Sequence, residues 1–159
     1  MPNWRETNHK LSYSSHKNQG GGVSLDLSHE IDYLLYLFGY PLTIQKNLRK
    51  ITNITVDSED FTNLYLEFKE FSATINLNYF RKDPKRTLEI VTSKKSILVD
   101  FVSNSIMDLT AKSIIYTSHK DLMKESYINQ MNYWLKCLEE KQVTINGFEE
   151  AKRLAKYLI

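Results

Sequence analysis

The residues whose types and spacing suit chemistry lie in one segment, from Gly20 to Asp32, which reads GGGVSLDLSHEID. A helix beginning near Asp26 spaces Asp26, His29 and Asp32 at i, i+3 and i+6, and each interval turns the side chain by only about 60° around the axis. The three share one broad face, separate from the apolar stripe of Leu27, Ile31 and Leu34. Carboxylates beside an imidazole favour its protonated form, and histidine titrates where it can take and return a proton near neutral pH. Oxidation of a secondary alcohol by hydride transfer requires such a group, because the hydroxyl proton must leave as the hydride departs. The three glycines ahead of the helix let the backbone approach a ligand closely or turn sharply. They are not a dinucleotide fingerprint, which needs a preceding strand and a βαβ frame. The competing reading of His29 is a cap or surface residue at a helix start.

The elements that must position this segment follow from the pattern around it. Residues 1–19 are polar, lack periodicity and read as an extended arm. Leu27, Ile31, Leu34, Leu35 and Phe38 then recur at helical spacing, with Asp26 or Ser28 able to cap the start, Gly39 to stop the run and Pro41 just beyond it. Residues 42–117 change character. The stretches 43–46, 48–56, 62–68, 73–80, 87–92, 96–101 and 113–117 are rich in Ile, Val, Thr, Tyr and Phe, several of them alternating, with turn-like breaks between. In the last third Tyr127, Ile128, Met131, Trp134, Leu135 and Leu138 form a helical stripe. Asn146 can cap a final helix, from which Phe148, Ala151, Leu154, Ala155 and Leu158 are expected to face the core. The order predicts an α+β fold: a mostly antiparallel, open sheet with helices packed on one face. No boundary between domains is expected inside the chain.

Composition bounds the function classes. The 159 residues can bury a core; 42% are apolar, 25% are charged and the net charge is +2. Basic and acidic residues alternate without a basic stripe, which argues against a nucleic-acid partner. Cys137 is the single cysteine, offers no zinc spacing and reads as a structural thiol on a helix face. His9, His16 and His119 lack ligand-spaced partners, so no metal is assigned. No apolar run reaches membrane-spanning length and the first residues are polar, so a cytoplasmic setting is expected. Arg81, Lys82, Lys85 and Arg86 around Pro84 read as a solvated turn, with a phosphate-binding role as the alternative.

The run from Gly20 to Gly39, with its three glycines, Asp26, His29, Asp32 and closing Phe38-Gly39, resembles the helix of the Gfo/Idh/MocA oxidoreductases, relatives of glucose–fructose oxidoreductase and inositol dehydrogenase. Trp4-Arg5 resembles the approach to that helix. Residues 86–90 and 95–100 resemble the family's paired strands with a tight turn, and 127–138 with 147–158 its closing helices.

The resemblance implies a C-terminal α+β domain that binds a sugar or cyclitol substrate and forms a homodimer through its sheet. It implies His29 as the catalytic histidine and Asp26 as its partner carboxylate. Asp32, Gly21, Gly22, Trp4 and Arg5 are then expected near the substrate. Many members separate the aspartate and histidine by four positions where this chain has three, which leaves Asp26 either in the proton relay or at the helix start. The family's Glu-Lys-Pro motif and glycine fingerprint are not in this sequence. Residues 1–159 are therefore expected to form a single substrate-binding and oligomerisation domain, without the family's first strand and nucleotide-binding domain. It would be inactive alone and bind no cofactor itself, with NAD or NADP in the complete enzyme and a separate Rossmann domain as possible partner. The alternative is a non-catalytic oligomerisation or ligand-binding module. A hydrolase is disfavoured, because no nucleophile is placed beside His29 and no G-x-S-x-G occurs.

Overall fold

Alternating apolar positions pair in register in the computed structural model, which describes residues 12–53, 56–145 and 147–158. The chain divides into two units, one built from residues 1–82 and 146–159, the other from 83–145. In the first, two 3₁₀ turns, Tyr13–Ser15 and Lys17–Gln19, lead into α1 (Val23–Asp26) and α2 (His29–Phe38). An antiparallel sheet follows, ordered β1 (Thr43–Arg49), β2 (Phe61–Glu67), β3 (Ser72–Asn78). The last helix, which follows the second unit in sequence, spans Phe148–Leu158 and returns to this core.

Register explains the core. Thr62 lies opposite Leu77, Leu64 opposite Ile75 and Leu66 opposite Ala73, so these side chains point to one face. Val23, Ile31, Leu34, Leu35 and Leu158 cover that face from the helices. Burying each such side chain contributes about 1.5–3 kcal/mol. The opposite face is polar: Asn63 Nδ2 donates to Asn76 Oδ1 at 2.6 Å, and the hydroxyls of Tyr65 and Ser72 lie 2.9 Å apart. Helices on one face of an antiparallel sheet is the α+β arrangement that the sequence predicts.

The second unit is a four-stranded antiparallel sheet of β4 (Thr87–Val91), β5 (Ser96–Asp100), β6 (Ser105–Asp108) and β7 (Ser113–Thr117), in that order, followed by α3 (Leu122–Glu139). The last helix of the first unit is thus α4. The expected tight turn joins β4 and β5: Thr92 Oγ1 accepts the N–H of Lys94 and of Lys95. Asp121 caps α3 by accepting the Lys124 N–H at 3.0 Å. Cys137 is buried.

Four features differ from the sequence expectation. The first helix is two helices, broken at Leu27 and Ser28, where Leu27 leaves helical geometry at φ −108°, ψ 28°. Strand β6 was not anticipated; Ser105–Asp108 is short and carries Met and Asp, without β-branched alternation. Phe148 is 78% exposed and Ala151 is exposed, so only the second half of α4 meets the core. Finally, β1 is one strand ending at Arg49 where two were expected, and the described residues 50–53 that follow it are not strand.

Asp60 accounts for that ending. It is fully buried, and its carboxylate accepts from the Ile51 N–H at 2.7 Å, the Thr52 N–H at 2.9 Å and the Thr52 hydroxyl at 2.5 Å. These donors leave the ladder and turn toward the side chain. Burial pushes the Asp60 pKa up, but the hydrogen bonds from Thr52 and Ile51 outweigh it, and the group sits below the ordinary 3.8. A depressed carboxylate pKa stabilises the fold above the unfolded value, and that contribution is lost as pH falls through the folded value. Asp60→Asn is therefore expected to cost about 2–3 kcal/mol at neutral pH. Urea midpoints of wild type and variant should converge in acid; a gap that does not narrow would show that the carboxylate charge contributes nothing.

Candidate active site around His29

The glycine segment is stapled into the first unit by its own backbone. The Gly21 N–H donates to His16 O at 2.9 Å, and a Cβ at Gly21 would lie 2.5 Å from Tyr13 O and 2.6 Å from Ser14 O. Gly22 has φ +139°, and a Cβ there would fall on the Glu59 carboxylate. Glu59 Oε1 accepts from the Ser24 hydroxyl at 2.5 Å and the Ser24 N–H at 3.3 Å, while Glu59 O accepts from the Val23 N–H at 3.1 Å. This loop residue satisfies donors that the start of α1 leaves open. Beside it, the Ser58 hydroxyl donates to Ser14 O and the Asp57 N–H to Ser15 O. The close approaches that require Gly21 and Gly22 are thus to Tyr13, Ser14 and Glu59.

Asp26 ends α1, on the far side of the break from His29. Its Oδ1 accepts from the Ser14 hydroxyl at 3.0 Å and its Oδ2 from the Tyr79 phenol at 2.6 Å. Tyr79 is buried, and its N–H donates to Asp60 O. Asp26 therefore ties α1 to the chain leaving β3. His29 is the first residue of α2, with its side chain 51% exposed. Its Nε2 lies 3.1 Å from Glu30 Oε1, whose side chain is only 12% exposed. The Asp32 side chain, half-buried in the same first turn, makes no hydrogen bond or ion pair among the described residues. Glu30 and Asp32 at this end complement the helix dipole.

The structure therefore joins His29 to Glu30, leaves Asp32 available one turn along, and gives Asp26 different partners. Trp4 and Arg5 lie outside the described residues. Sequence reasoning missed Glu30, whose signal was adjacency to His29. It also missed Ser14, Glu59 and Tyr79, which are brought in over 12, 35 and 53 residues of sequence without any periodic signal. Among the described residues, no three His, Cys, Asp or Glu side chains are grouped to hold a metal, and no helix is long and apolar enough to cross a membrane. An imidazole and an unpartnered carboxylate at one helix start can accept a hydroxyl proton and hydrogen-bond a neighbouring hydroxyl.

The GFO/IDH/MocA C-terminal domain profile matches residues 1–98 of the chain. No curated protein sequence matches it. Solved structures share the fold. UDP-N-acetylglucosamine 3-dehydrogenase GnnA from Acidithiobacillus ferrooxidans superposes with a TM-score of 0.66 at 17% identity, covering 86% of this chain and 45% of that one. An oxidoreductase from Agrobacterium radiobacter, in complex with NAD+, L-tartaric acid and magnesium, gives 0.70 at 14% identity, over 92% of this chain and 47% of that one. GenD2 from gentamicin A biosynthesis, in complex with NAD, gives 0.71 at 14% identity, over 92% and 46%. At these identities the likeness is one of fold, and the chain spans about half the length of these structures. The profile match covers more than half of the chain, which therefore belongs to the GFO/IDH/MocA oxidoreductase family and carries its C-terminal domain.

Proposed function

We propose that this chain is the substrate-side part of an NAD(P)-dependent dehydrogenase acting on a secondary hydroxyl of a sugar or cyclitol, inactive without a nucleotide-binding part. The observation that carries the reading is the start of α2, where a half-exposed His29 and an unpartnered Asp32 share the first turn. His29 accepts the proton of the reacting hydroxyl, and Asp32 accepts a hydrogen bond from a neighbouring one. Asp26, held by Ser14 and Tyr79, supports the helix start on which His29 sits. The NAD complexes of two fold relatives support a nicotinamide cofactor. When bound, that cofactor supplies the hydride acceptor.

The glycine segment of this chain does not fit a dinucleotide. It leads from a 3₁₀ turn into a helix of four residues, and the space beside Gly21 and Gly22 is filled by Tyr13, Ser14 and Glu59. The nucleotide site is accordingly assigned to a separate Rossmann segment. Calorimetric titration of the chain with NADH and NADPH is expected to show no saturable binding; clear saturation with either would overturn the division.

A second reading, a non-catalytic oligomerisation module, draws on the second unit. Its edge strand β7 exposes Ile114, Ile115 and Tyr116 at 65%, 52% and 47%. Apolar side chains on an open edge favour self-association, and a homodimer through this sheet is compatible with either reading.

A further inference from the structure

The proton-accepting reading leaves a question of chemistry: a half-exposed imidazole must present one particular nitrogen to its ligand. His29 has a single hydrogen-bonding or ion-pairing partner among the described residues, and it is neither aspartate of the motif. Glu30 Oε1 stands 3.1 Å from Nε2. The two side chains are unequal in a way that matters. Glu30 is largely buried and His29 half open, so the carboxylate is the fixed member of the pair and the ring the held one. A carboxylate only accepts, so the nitrogen facing it carries the hydrogen. In a neutral imidazole the other nitrogen then bears the lone pair.

We propose that Glu30 is the positioning residue of this site: it holds the His29 ring by Nε2–H and so makes Nδ1 the atom that accepts the ligand's proton. The inference rests on the proposed role of His29 as proton acceptor. In the step, the O–H bond of the ligand breaks, its electron pair stays on oxygen, and a new N–H bond forms at Nδ1. The imidazolium that results carries a hydrogen on both nitrogens and keeps its bond to the Glu30 carboxylate, which offsets the new positive charge. Asp26 cannot substitute in this arrangement, because its two oxygens accept from Ser14 and Tyr79 across the helix break. Asp32 remains available to the ligand.

The tautomer can be read without turnover, so this inference fails or survives apart from the proposed dehydrogenase activity. The chain has four histidines, and the ring nitrogens of His29 are assigned by comparison with the H29N variant. In ¹⁵N spectra of the full chain, at a pH where the ring is neutral, His29 should carry its hydrogen on Nε2, with the two nitrogen shifts widely separated. In Glu30→Ala the two shifts should move toward one another as the tautomers mix. Glu30→Gln keeps the side-chain volume and serves where the alanine variant loses the fold; its neutral amide should give a smaller movement in the same direction. The amide spectrum reports whether each variant is folded. A mixed tautomer in the wild type, or unchanged His29 shifts in a folded Glu30→Ala variant, would overturn the assignment.

Discussion

Replacing His29 with asparagine, in an enzyme completed by a nucleotide-binding part, is expected to lower kcat by about 10²–10⁴-fold, the usual range for losing a general base. Asparagine preserves a polar side chain of similar length but cannot take a proton near neutral pH. Substrate KM should move little, since Asp32 and the rest of the helix start stay in place. The fold should also survive, because the His29 side chain is half exposed and bonded only to its neighbour Glu30. Steady-state kinetics of the completed enzyme, with thermal unfolding as the control, check this. A variant that turns over at the wild-type rate would remove His29 from the chemistry and leave the proton to another acceptor.

Gly21→Ala should destabilise the first unit by roughly 1–3 kcal/mol, the usual cost of forcing an extra methyl into a packed site, and at the upper end of that range. The methyl would meet two backbone carbonyl oxygens, at 2.5 and 2.6 Å, and neither can rotate away as a side chain could. The displaced turn is the one that presents Ser14 to Asp26 and Ser58, so the helix start should shift as well. Chemical denaturation of the variant measures the loss, and amide shifts at Ser14, Asp26 and Ser58 measure the displacement. An alanine tolerated without either would mean that the turn at Tyr13 and Ser14 is not held as described.

What the sequence disclosed follows from which forces are periodic. The alternation in 62–68 and 73–80 reports burial on one face of a sheet, and it recovered β2, β3 and their inward set Leu64, Leu66, Ile75 and Leu77. Gly39 marked the end of α2 because a positive φ there suits only a residue without a side chain. The break at Leu27 and Ser28 was hidden, since apolar spacing runs straight through it. It undid the single face drawn through Asp26, His29 and Asp32. Asp60 carried no pattern at all. Its effect on β1 depends on donors eight and nine residues away, a contact that only the folded chain makes. At the candidate site, residue type and a place in a glycine-to-helix segment singled out His29 as the residue to test. Glu30 was overlooked because adjacent residues on a regular helix point in different directions, yet at a helix start the two side chains meet.

The return of α4 to the first unit has a consequence for how the chain must be made. Leu158, 3% exposed, belongs to the same apolar cluster as Val23, Ile31 and Leu64. All of residues 83–145 are translated between β3 and that helix. The sheet of the first unit can pair as it leaves the ribosome, but part of its apolar face stays uncovered while the whole second unit emerges. Contacts of such long sequence separation form late, and a nascent chain in that interval shows surface that chaperones and proteases recognise. Synthesis, and not only the finished structure, thus places a demand on the residues lining that face: they must remain soluble for as long as the interposed strands take to appear.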